Sequence, residues 1–140
     1  QLQPVSYDRP VPVADSVQVA FINAGHLRGT SYARVRAGGL TILFGGDLGR
    51  FGRPVLPDPT MVDEADYLLV ESTYGNRIHE KDDNGARLAQ AIKATADRGG
   101  KMIIPAFAVG RVEEVLYWIK RLEDTLKDRA ARLNATKAAG

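Results

Sequence analysis

Three short apolar runs, each stopped by a polar residue set among small ones, limit what this chain can fold into. They are Val17 to Ile22 (VQVAFI), Leu40 to Phe44 (LTILF) and Tyr67 to Val70 (YLLV). Each is too short for a buried helix, draws on β-branched and aromatic residues, and is bounded by turn formers, which is how buried strands read. The runs deliver Asn23-Ala24-Gly25-His26, Gly45-Gly46-Asp47 and Glu71-Ser72-Thr73-Tyr74-Gly75. Between the first two, Ser31 to Arg36 alternates, with Tyr32, Arg34 and Arg36 opposite Ala33 and Val35. Gly38-Gly39 then links it to Leu40 as a tight hairpin turn would.

The spacing changes after Asn84. Leu88, Ala89, Ile92 and Ala96 form a helical stripe closed by Gly99-Gly100, and Met102 to Ile104 reads as a short strand stopped by Pro105. Val112, Val115, Leu116, Ile119, Leu122 and Leu126 predict a second amphipathic helix over Arg111 to about Lys127. A strand, helix, strand, helix order from Tyr67 onward is the pattern of a parallel α/β layer, whereas the first half is strand-rich with turns. The expected organisation is therefore α/β, with one region over 1–63, a second over 64–127, and a frayed tail over 128–140.

Composition removes several function classes. With no cysteine among 140 residues, a disulfide framework and cysteine-based zinc sites are excluded, and a reducing cytoplasm is the expected compartment. A net charge of +2 is too small to announce nucleic-acid binding by itself. Gln1 to Asp15, with Pro4, Pro10 and Pro12, is neither a signal peptide nor a membrane span, and a start at Gln rather than Met is expected of a piece of something longer.

The polar residues at the strand ends are the candidates for chemistry. His26 lies on a loop with glycine on both sides; a neutral imidazole there can reach a metal, or can cap a turn. Asp47 emerges from an apolar strand beside two glycines, suited to ligate or bridge cations, or to bond its own backbone in a turn. Glu71 follows its strand directly, and its alternative is a helix or turn cap, with Ser72 and Thr73 as competing cappers. Three such groups at three strand ends say more than any one, because a rigid sheet holds loops in register. His79 reads as solvated or as support behind metal ligands. Arg111, after Val109-Gly110, opens a helix where a phosphate could sit. Lys120, Arg121, Lys127, Arg129 and Arg132 read as a solvated helical face.

Taken in order, AGHLRGTS, FGGDLGR, ESTYGNRIHE and PAFAVGR resemble the metallo-β-lactamase-fold β-CASP family, which includes ribonuclease J-like enzymes and the endonuclease subunit of pre-mRNA 3′-end processing. The resemblance implies the later half of a metallo-β-lactamase fold followed by the opening βαβα of a β-CASP domain. It implies that His26 is a zinc ligand, that Asp47 bridges two zincs, that Glu71 is the acidic residue supporting the site, and that Asp47 and Glu71 are the catalytic residues. Arg111 is structural or faces substrate by the same analogy, and RNA is the implied substrate. A complete family site holds two zincs and also needs a His-x-His-x-Asp-His motif upstream and further histidines downstream. Only His26 and His79 are present here. A chain with two matched ligands is expected to be inactive alone, to self-associate along uncovered sheets, or to pair with a complementary chain as a non-catalytic module. An unrelated α/β nucleotide-binding domain is the remaining alternative.

Overall fold

The computed structural model describes residues 2–78, 80, 83, 85–107 and 109–138. In chain order the elements are β1 (Val11–Ala14), β2 (Val17–Asn23), β3 (Ser31–Ala37), β4 (Leu40–Phe44), β5 (Tyr67–Leu69), α1 (Ala86–Asp97) and α2 (Arg111–Ala138). The strands form one sheet in the order β1-β2-β3-β4-β5, antiparallel up to β4 and parallel between β4 and β5. The architecture is α/β with a mixed sheet.

Local chemistry explains most of these elements. Ala37 pairs with Leu40 around Gly38 (φ 58°) and Gly39 (φ 81°), consecutive left-handed residues that favour glycine in a two-residue hairpin. β1, which the proline content concealed, is an edge strand that among the described residues pairs only with β2, so Pro12 costs no internal ladder bond. The register slips between Pro12 and Ala14.

Strand pairing also fixes which side chains share a face. Val17, Val19, Phe21, Ala33, Val35, Ala37, Leu40, Ile42, Phe44, Tyr67 and Leu69 fall on one side of the sheet. That face is apolar throughout, yet none of these side chains is fully buried, and Leu40, Phe44, Tyr67 and Leu69 are exposed. The opposite face holds the core residues Ala20, Ile22 and Leu43. Part of the segment 58–66 is tied to the sheet's strands: Thr60 N–H donates to the Asn23 carbonyl (3.0 Å) and Asp66 N–H to the Thr41 carbonyl (2.9 Å). Two separate globules sharing 15.2 kDa would expose about 8,600 Å² by ordinary scaling. The chain exposes 11344 Å², so apolar surface is left without cover.

Contacts divide the chain into two compact units, Gln1–Ile78 and His79–Gly140. β5, paired with β4, lies in the first of these units. In the second unit, Asp83 accepts from Gly85 N–H (3.0 Å) and Arg87 N–H (2.9 Å), satisfying donors at the start of α1. Gly85 is itself held against the Trp118 ring, where an added Cβ would come within 3.0 Å. Past the end of α1, Gly99 (φ 65°) closes the helix, with Gly99 N–H on the Ala96 carbonyl and Gly100 N–H on that of Thr95, both at 2.9 Å.

Two expectations for this half are corrected. Met102 to Ile104 is not a strand: it has no ladder partner among the described residues, Pro105 removes a donor, and Ile103 is 89% exposed. The order after β5 is thus helix, helix. The second helix does not stop near Lys127 but runs through Ala138, because its last turns are built from Ala, Arg and Lys, which are strong helix formers. The basic residues of α2 behave as a solvated face: Lys120 pairs with Asp124 (2.6 Å), Lys127 with Glu123 (2.5 Å), and Arg121 lies over the Trp118 ring. No helix among the described residues is long and apolar enough to cross a membrane.

Candidate functional site

The ends of β2 and β4 bring His26 and Asp47 together. His26 Nε2 lies 3.9 Å from Asp47 Oδ2, and their side chains are 41% and 75% exposed, so the pair faces outward and is open to a ligand. The separation is beyond hydrogen-bond length.

The loop that carries His26 is closed by its own backbone. Thr30 Oγ1 donates to the Leu27 carbonyl (2.9 Å) and accepts from Leu27 N–H (3.1 Å), while Ala24 N–H donates to the Thr30 carbonyl (3.2 Å). Asn23 at the end of β2 accepts from Gly25 N–H (3.1 Å) and donates through Nδ2 to the Asp58 carbonyl (2.8 Å). Gly25 has φ 65°, and a Cβ there would meet buried Pro59 at 2.8 Å. His26 therefore stands on a loop packed from below and pinned on both sides.

The loop that carries Asp47 is held by Glu71. Glu71 Oε1 accepts from Leu48 N–H at 2.7 Å. A hydrogen bond from the Thr73 side chain and then the one from Leu48 hold the Glu71 carboxyl below its ordinary value of 4.5, against an opposing effect of desolvation, with the nearby His26 adding the least. Glu71 is thus a hydrogen-bonded carboxylate whose contacts are with the protein. Sequence reasoning treated Ser72 and Thr73 as competitors of Glu71 for capping; Thr73 is its partner instead.

An imidazole nitrogen and a carboxylate oxygen are both zinc donors, and two ligands at zinc bonding distance in a tetrahedron stand about 3.4 Å apart. The observed 3.9 Å needs only a small side-chain rotation to fit one edge of such a site. No group of three or more potential metal-binding side chains occurs among the described residues. His26 and Asp47 fit as a pair of ligands, and a four-ligand site needs donors that they do not supply.

Two further candidates remain. His79 lies outside the described residues. Arg111 belongs to the second unit, where its guanidinium approaches Glu114 (3.7 Å), and Glu113 and Glu114 in the first turn of α2 already complement the helix dipole. Sequence reasoning missed Asn23, Asp58 and the Leu48–Gly49 backbone. The one visible signal was the Asn-Ala-Gly order after β2, where an asparagine commonly bonds the backbone two residues on.

No family model matches the chain. It is similar to a ribonuclease of Thermus thermophilus, with 38% identity over 117 residues that make up 83% of this chain and 27% of that protein. An RNase J-like protein of Methanocaldococcus jannaschii is 35% identical over 80% of this chain and 28% of its own length. Cleavage and polyadenylation specificity factor subunit 3 of Dictyostelium discoideum is 34% identical over 75% of this chain and 14% of its own length. The chain thus spans little more than a quarter, or less, of these curated relatives.

Proposed function

The chain is related in sequence to one segment of the metallo-β-lactamase-fold β-CASP ribonucleases, and on that premise we propose that it supplies part of a zinc-dependent site for hydrolysing RNA phosphodiester bonds. The observation that carries this reading is the approach of His26 Nε2 to Asp47 Oδ2 at the ends of adjacent loops. His26 and Asp47 would hold zinc through the imidazole nitrogen and the carboxylate that approach each other here. Bound zinc would activate water and stabilise charge developing on a phosphodiester. Glu71 holds the Asp47 loop in place through Leu48 N–H.

Two donors out of about four leave such a site incomplete, so this chain is inactive by itself on this reading. The bare face of the sheet supports the same view. An apolar surface running from Val17 to Leu69 calls for a complement, and about three quarters of the Thermus thermophilus relative lies outside the matched segment, where one could lie. The absence of cysteine suits work in a reducing cytoplasm.

The test is co-expression with a second chain that carries the remainder of a relative, followed by zinc analysis and an RNA cleavage assay. Zinc retention and cleavage that both disappear in His26→Ala are expected. A stable complex that binds no zinc would refute the reading and leave a non-catalytic pairing module.

A further inference from the structure

We propose that the Leu48–Gly49 peptide unit sets the tautomer of His26, and that Gly49 is a positioning residue because only glycine lets that peptide reach the His26 loop. Its functional meaning rests on the reading of His26 as a metal ligand; its geometry does not.

The Leu48 carbonyl lies 3.3 Å from His26 Nδ1. A carbonyl oxygen can only accept, so Nδ1 carries the proton in this bond. A neutral imidazole has one N–H, which leaves the lone pair on Nε2. Nε2 is the nitrogen that faces Asp47. The bond therefore presents the ring in the protonation pattern a cation needs on the side where the carboxylate stands.

The same peptide unit is anchored at its other end. Gly49 N–H donates to the Ala24 carbonyl at 2.9 Å, so the plane that accepts from His26 also donates to the loop beneath it. Glu71 fixes the preceding amide of Leu48. These bonds hold Leu48 on both sides and prevent its carbonyl from turning to water.

Gly49 makes the arrangement possible. A Cβ built on it would lie 2.3 Å from the Ala24 oxygen and 2.3 Å from the Gly25 carbonyl carbon. Both are backbone atoms that cannot swing aside, so the strands of the two loops must part by several tenths of an ångström or more. Gly49 is not among the glycines with positive φ, and its requirement is one of space.

The chain has only two histidines, so labelling with ¹⁵N-histidine gives two imidazoles, and His79→Gln identifies His26. Two-bond ¹H–¹⁵N correlations of the metal-free chain at a pH where the ring is neutral report its tautomer ratio; magic-angle spinning gives the same readout from self-associated material. A neutral hydrogen bond of this kind shifts such a ratio by about 2- to 12-fold. The Nδ1–H to Nε2–H ratio of His26 should therefore fall by that factor in Gly49→Ala. Gly52→Ala places a Cβ in open space at φ 71° in the same loop and should leave the ratio unchanged. The backbone amide spectrum of β2 to β4 shows whether each variant keeps the sheet. An unaltered ratio in Gly49→Ala with the sheet intact, or a wild-type ring whose Nδ1 carries no proton, would overturn the proposal. Failure of the reconstituted protein to retain zinc, with Nδ1–H still favoured, would refute the metal reading while supporting the clamp.

Discussion

Replacing Gly25 by alanine should loosen the His26 loop through two effects that can be separated. Gly25 has φ 65°, where a Cβ costs roughly 1–2 kcal/mol by backbone strain alone. The added carbon would also lie 2.8 Å from both Cδ and N of Pro59, a buried residue with little room to retreat. Overpacking of this kind adds about 1–3 kcal/mol. Gly38→Ala is the matched control, since φ there is 58° and nothing lies within 4 Å of the new carbon. Amide hydrogen exchange reads the difference at Ala24, Leu27 and Thr60, whose N–H groups bond to Thr30, the Thr30 hydroxyl and Asn23. In Gly25→Ala these amides should exchange about 5- to 160-fold faster than backbone strain alone would give, or lose protection altogether. In Gly38→Ala they should be unaffected, with any change confined to the β3–β4 turn. Equal behaviour of the two variants at these amides would refute the packing argument.

Other consequences follow from the sheet and from Glu71. Phe44 and Leu69 lie on the bare face at 41% and 50% exposure, so completing the burial of each side chain is worth about 1 kcal/mol. The chain should self-associate, and Phe44→Glu combined with Leu69→Glu should shift sedimentation velocity toward the monomer; a monodisperse wild-type monomer would contradict the uncovered face. The folded state lowers the carboxyl pKa of Glu71 below 4.5, so its contribution is present above that pH and is lost as pH falls through the depressed folded value. Protection of the Leu48 amide, compared after correction for intrinsic exchange, should therefore persist at pH 4.5 and drop under stronger acid, and Glu71→Gln should remove most of that dependence while keeping an acceptor.

Much of the scaffold was legible because it follows from local rules. Gly38-Gly39 between alternating runs could hardly be anything but a hairpin turn, and the apolar spacing of α1 reads directly as one face of a helix. Elements that depend on partners were harder to read. Met102 to Ile104 has the composition of a strand but, among the described residues, no neighbour to pair with, whereas Val11–Ala14 contains a proline and becomes a strand because β2 offers an edge. The site divided in the same way. His26 and Asp47 were visible because glycines surround polar residues at the ends of apolar runs. The Leu48–Gly49 contacts with His26 and Ala24 were invisible, since backbone groups in irregular loops carry no periodicity. Glu71 was visible as a residue, and its attachment to Leu48 N–H was not.

Zinc content of the reconstituted protein tests the role of His26 and Asp47 most directly. The chain joined by the rest of a β-CASP relative, dialysed against a weak chelator, should retain zinc by elemental analysis. His26→Ala and Asp47→Asn should each lose it, while Arg111→Ala, in the second compact unit, should keep it. Zinc held equally well by the His26 and Asp47 variants would contradict the assignment of these two side chains as ligands.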